Sequence, residues 1–164
     1  MRTDGRRLLL DTNVWISYYL SGSGLAEDAG ELVRASLAND IELFYAPTSL
    51  KDAFYIIPRE LKRAEAESGV ETSPASRRAV AWACTQHMRE IATPAPLTGV
   101  ECDLAHMLRS MNADLEDNLV VACAETCHAD YLVTYDRQLI EAFSPSCITP
   151  AQALSAIGVW TASR

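Results

Sequence analysis

Apolar residues fall along this chain in short bursts, separated by longer stretches with helical spacing. The stretch RRLLLDTNVWISYYL, residues 6–20, sets three leucines directly against an aspartate. The unbroken apolar run reads as a short strand over 6–10, and residues 12–20 read as a helix. Gly22 and Gly24 mark a break. In LAEDAGELVRASLAND (25–40), Leu25, Ala29, Leu32, Val33, Ser36 and Leu37 recur at helical spacing, and Asn39-Asp40 stops the helix. IELFYAP (41–47) is a strand ended by Pro47, and TSLKDAFYII starts a helix with Thr48 or Ser49 as its N-cap.

The charged stretch from Pro58 to Gly69 continues as helix after a kink, and residues 73–90 form a helix with a Ser-Pro start. IATPAPL is a short extended segment. Residues 100–111 and 114–129 read as helices, and DYLVTY (130–135) as a strand. A short helix follows Asp136, and CITPAQALSAIG runs from an extended piece into a last helix. Strands alternate with helices almost throughout, which predicts one α/β domain over 1–164, a parallel sheet with helices on both faces.

Composition narrows the picture. At 164 residues, 49% hydrophobic and 22% charged, the chain has an ordinary globular balance and enough length for a real core. No apolar run approaches the ~18 residues that span a bilayer. After Arg2, Arg6 and Arg7, Asp11 stops the apolar run far short of a signal sequence, so a cytoplasmic location with no membrane association is the expectation. The net charge of −8 opposes sequence-independent nucleic-acid binding, unless several carboxylates gather around a cation. Five cysteines (84, 102, 123, 127, 147) include no CxxC pair. Cys123 and Cys127, beside His128, read as buried reduced thiols on an apolar helix face rather than as a zinc site.

The carboxylates carry the chemistry. In a doubly wound parallel sheet, ligands gather outside the carboxyl ends of the strands. Asp11 sits just past the first strand and Asp136 just past DYLVTY. Asp52 lies in the first turns of the helix after the second strand. Asp114 and Asp117, three apart, open a helix and can point from one side of its first turn. Each acid also has a plain structural role. Asp114 can cap its helix while Glu116 and Asp117 complement the dipole. Asp136 can be a turn residue, and Asp52 part of a solvated face beside Lys51. Acids from four segments arriving at one sheet edge favour a site. Such carboxylates cannot all stay ionised unaided. Mg²⁺ or Mn²⁺ removes the repulsion, accepts oxygen ligands and steadies charge in phosphate-ester displacement. No histidine base is then required, and none of His87, His106 and His128 sits near a candidate acid in these segments.

The segments LLLDTNVWIS, APTSLKDAFYI, DLEDNLVVACAETCHADYLVTYD and ITPAQAL resemble the successive motifs of PIN-domain ribonucleases. The resemblance, to VapC-like toxins of type II toxin–antitoxin pairs in particular, runs from about residue 7 to residue 157. It implies a three-layer α/β/α fold around a central, mostly parallel sheet, and an endoribonuclease that uses Mg²⁺ or Mn²⁺. By position, Asp11, Asp117 and Asp136 match the family's first, third and fourth acids. The second is usually a glutamate; Asp52 stands there, one methylene shorter. Asn13 and Thr134 match polar positions that support the acids, and Asp114 and Glu116 stand as additional ligands or supports.

The resemblance also implies a homodimer and a cognate antitoxin whose segment, often with an arginine, reaches the acids. The apolar surplus of Leu50, Phe54, Tyr55 and Ile57 fits a protein interface. Arg59, Lys62 and Arg63 offer positive charge for RNA, although such a run also suits a solvated face. An alternative is a catalytically degenerate PIN-like module that binds RNA or protein without cleavage, motivated by Asp52 and the net acidity. A phosphotransferase using Asp11 as nucleophile ranks last, because Asn13 stands where haloacid-dehalogenase-like enzymes place a second acid.

Overall fold

The computed structural model describes residues 5–20 and 24–162. Arg2, Gly22 and the side chain of Leu25 lie outside the described part. Five strands form the sheet: β1 (Arg7–Leu10), β2 (Glu42–Tyr45), β3 (Thr93–Pro94), β4 (Tyr131–Val133) and β5 (Cys147–Ile148). Every pairing is parallel, in the order β3-β2-β1-β4-β5, so the sheet is wholly rather than mostly parallel. At its centre Leu9 lies in register with Phe44 on one side and Leu132 on the other.

The sheet explains the three consecutive leucines. Leu8 and Leu10 face one core with Leu43, Tyr45 and Val133, while Leu9 faces a second core with Phe44 and Leu132. A central parallel strand is buried on both faces and therefore has no polar side. The first core is covered by α1 (Thr12–Tyr19), α2 (Gly24–Ala38), α3 (Pro47–Ser68), α4 (Pro74–Ile91) and α8 (Pro150–Ala162). The second is covered by α6 (Leu115–Thr126) and α7 (Arg137–Phe143), with α5 (Gly99–Met107) packed on α6. This is the expected α/β architecture, helices on both faces of one sheet.

Several local expectations shift. The helix after β2 begins two or three residues earlier than predicted: Ala46 is its N-cap and Pro47 its first residue. Proline suits that position because the first helical N–H needs no intrahelical acceptor. Thr48 and Ser49 therefore lie inside α3, which runs through Pro58 as one element and ends at Gly69 in the left-handed region (φ 72°). The predicted helix over 100–111 is α5 followed by a short 3-10 turn, Leu108–Ser110. The strand at 130–135 shortens to β4. α3 and α4 pack against each other, and Arg77 donates to Glu65 at 2.6 Å across their connection. Cys123 and Cys127 are buried free thiols, as expected; Cys147 is buried too, whereas Cys84 is half-buried and Cys102 exposed. Burial pushes Cys123 and Cys147 to about 12 and Cys127 to about 11, which keeps them protonated and unreactive. No helix among the described residues is long and apolar enough to cross a membrane.

Candidate functional site

The strand order reverses between β1 and β4, and their carboxyl ends open into a cleft of about 880 Å³. Ligands of doubly wound sheets bind at such switch points. Asp11 follows β1 and is only 8% exposed. Its Oδ1 accepts from the Thr12 backbone N–H at 2.6 Å, capping α1. Its Oδ2 accepts from Asn13 Nδ2 at 2.8 Å and Thr134 Oγ1 at 2.7 Å. Asn13 Nδ2 also reaches Thr134 Oγ1 at 2.9 Å, and Asn13 Oδ1 accepts from the Tyr135 N–H at 3.1 Å. Asn13 and Thr134 thus tie the ends of β1 and β4 together around one carboxylate. Capping and site-building are therefore the same act at Asp11.

Asp136 follows β4. Its Oδ1 caps α7, accepting from the Gln138 and Leu139 N–H groups, while its own N–H donates to Thr134 Oγ1 at 3.0 Å. From the facing wall come Asp52 on α3 and Glu116 and Asp117 on α6, all lining the cleft with Asp11, Asn13 and Asp136. Asp117 Oδ2 accepts from Asn112 at 3.1 Å. Buried Asn118 donates to the Asn112 carbonyl at 2.8 Å, which holds that loop against α6. Asp114 is placed differently. It caps α6 through Glu116 N–H (2.8 Å) and Asp117 N–H (3.1 Å) and does not line the cleft.

The electrostatics register the crowding of like charge. Burial, and then the Asp117 and Asp136 charges, raise the pKa of Asp11 against the lowering effect of Thr134 and Thr12. Asp117 is raised by burial and by Asp114 and Asp136, against the lowering bond from Asn112. Glu116 is raised to about 7, chiefly by a side-chain hydrogen bond with Asp52, then by burial and by the Asp52 charge. Two carboxylates can share such a bond only with a proton between them. Asp52 Oδ2 is otherwise buried without a partner, while its Oδ1 pairs with Lys51 at 2.8 Å.

This donor set, all oxygen and net negative, fits a hard divalent cation in type and charge. As the side chains stand, no three acids among the described residues meet at one chelating point. No histidine lines the cleft. Sequence reasoning missed Ser49, Asn112 and Asn118. Buried Ser49 accepts from Thr12 Oγ1 at 2.8 Å and so fixes α3, with Asp52, against the start of α1. The one available signal was the asparagine beside Asp117.

Of the basic residues considered for RNA, Arg63 lines the outer cleft but is paired with Glu60 at 3.0 Å, and Arg59 pairs with the same acid. Ile57 is fully buried and Leu50 and Phe54 pack on the core, which leaves Tyr55 as the exposed part of the apolar surplus in α3.

A doubly wound sheet with an acid-lined cleft at its switch point defines the class: an α/β protein with carboxylates gathered at the carboxyl edge of a parallel sheet. The sequence model of the PIN domain matches residues 7–138, and the chain belongs to the PIN-domain family. PIN domains are generally nucleases, which supports a nuclease-type function here. Among solved structures, the fold is similar to the crystal structure of PAE2754 from Pyrobaculum aerophilum. The match has a TM-score of 0.61 at 13% sequence identity and covers 94% of this chain and 90% of that one. No curated protein matches the sequence.

Proposed function

We propose that the protein is an endoribonuclease dependent on Mg²⁺ or Mn²⁺, a toxin restrained by a cognate antitoxin in the cytoplasm. The observation that carries the reading is the convergence of Asp11, Asp52, Glu116, Asp117 and Asp136 on one switch-point cleft, with burial first and then the repulsion of neighbouring acids raising Asp11 and Asp117. A bound divalent ion would relieve that repulsion and supply an activated water and charge stabilisation at the scissile phosphate. Asp11, Asp117 and Asp136 are the residues to hold it, with Asp52 completing the set. Thr134 and Asn13 keep Asp11 oriented. The Asp52–Glu116 pair can hold one proton at the cleft wall, and Glu116 supplies beside Asp52 the longer carboxylate that the family usually has there.

RNA cleavage by the purified protein, with Mn²⁺ or Mg²⁺ and with excess chelator, tests the reading beside Asp117→Ala. Cleavage that needs metal and is lost in the variant is the expected result. Full activity in the variant or in chelator would sink it. A second reading, a PIN-like module that binds RNA or protein without cutting, is favoured by one observation: no three acids converge on a chelating point as they stand. That module would bind its partner in chelator and show no thermal shift with either cation. A homodimer belongs to the same proposal, and sedimentation of the purified chain tests it.

A further inference from the structure

Beside the acidic cleft, α3 and α4 enclose a second groove of about 1060 Å³. Lys51 and Asp52 are consecutive on α3, and each lines one of the two: Asp52 the cleft, Lys51 the groove. The aromatic side chains of this groove are unusually open for their size. Tyr55 is 69% and Trp82 64% exposed, with Phe54 between them at ring-centroid distances of 5.2 and 4.7 Å. The groove's cations are Lys51 and Arg89. The acid among its lining residues, Glu90, is held by Gln86 at 2.9 Å. The Arg89 guanidinium lies near Tyr45, a buried residue at the end of β2, and offsets part of the rise that burial imposes on the Tyr45 hydroxyl. The Lys51 ammonium touches Asp52 at 2.8 Å and also lies in the fields of Glu116 and Tyr55, so it stands where groove and cleft meet.

We propose that this groove binds the single-stranded RNA next to the scissile phosphate, with bases stacked on Trp82 and Tyr55 and phosphates paired with Arg89 and Lys51. The inference rests on the ribonuclease reading above and assigns it a substrate track. A single strand offers both an open π-face and a negative charge with every nucleotide, which is what open aromatics set among cations recognise. A duplex hides its base faces and offers only phosphates and groove edges. An apolar protein surface would cover the aromatics but desolvate Arg89 and the Lys51–Asp52 pair, at a cost. Because the chain as a whole is acidic, binding here depends on local pairing rather than on the overall field.

The test is fluorescence anisotropy with a labelled twelve-nucleotide oligouridylate in chelator, on the full-length protein. The proteins compared are wild type, Trp82→Ala, Arg89→Gln and the cleft variant Asp117→Asn. Trp82→Ala should weaken binding roughly tenfold, the value of one base stack. Arg89→Gln should reduce the salt slope by about 0.7, one phosphate contact on a single strand. Asp117→Asn, which removes a negative charge beside the scissile phosphate, should bind at least as tightly as wild type in chelator, and unlabelled duplex RNA should compete poorly. If Trp82→Ala and Arg89→Gln both bind as wild type while wild type cleaves RNA with metal, the track is wrong and the nuclease stands. Binding that depends on Trp82 in a protein that never cleaves keeps the track and removes the nuclease. If Trp82→Ala instead turns a sedimenting dimer into a monomer with RNA affinity unchanged, the groove is a protein interface and the proposal is overturned.

Discussion

The two walls of the acidic cleft are built on different principles. On the sheet wall, Asp11 is buried, both its oxygens are hydrogen-bonded, and Asn13 and Thr134 lock it between β1 and β4. On the helix wall, Asp52 leans on Lys51 through one oxygen, and its other, buried oxygen lacks a partner unless a proton is shared with the neighbouring Glu116. The sheet wall is already organised. The helix wall holds unbalanced negative charge and is the part that a cation would settle. Preorganisation therefore resides in the strands, while the response to ligand resides in α3 and α6.

Loss of the strand-borne acid gives the largest effect. Asp11→Asn should abolish metal-dependent cleavage, measured on RNA under saturating Mn²⁺, while circular dichroism stays native; retained activity would remove Asp11 from the chemistry. Thr134→Val should lower cation affinity by about 10–100-fold in calorimetric titration, since it frees an acid that Thr134 orients. The same change should cost roughly 1–3 kcal/mol in urea unfolding, because it leaves a buried acceptor short of its donor. The helix wall should respond in the opposite sense. Asp52→Asn can donate to Glu116, so the metal-free protein should melt higher, and a lower Tm would contradict the strain assigned to that wall.

Titration gives a smaller effect. Glu116 is raised in the folded state, so its contribution to stability is fully present below its ordinary value of 4.5 and is lost as pH climbs to about 7. The metal-free Tm should fall across that window, and Glu116→Gln should flatten that part of the profile. An unchanged slope in the variant would show that the pair does not share its proton.

Much of this architecture was legible along the chain. LLLD marked a strand buried on both faces with a carboxylate at its exit, because a run with no polar face must lie between two layers. Asp136 was legible in the same way from DYLVTY. The start of α3 was misread because Thr48 and Ser49 look like caps, whereas Pro47 already opens the helix and Ser49 serves Thr12. At the head of α6, spacing put Asp114 and Asp117 on one side without telling them apart. The fold sends Asp114 to the helix N–H groups and Asp117 to the cleft.

What the sequence determined by itself is local: short apolar runs that must be central strands, acids at their ends, and helices between them. Each follows from the burial and hydrogen-bonding needs of a few neighbouring residues. Only the tertiary structure decided that Asp52 meets Glu116, that Thr134 reaches Asp11, and that Tyr55, Trp82 and Arg89 share a groove. Those contacts join residues far apart in the chain, and their geometry depends on how helices settle on the sheet, which no local pattern encodes.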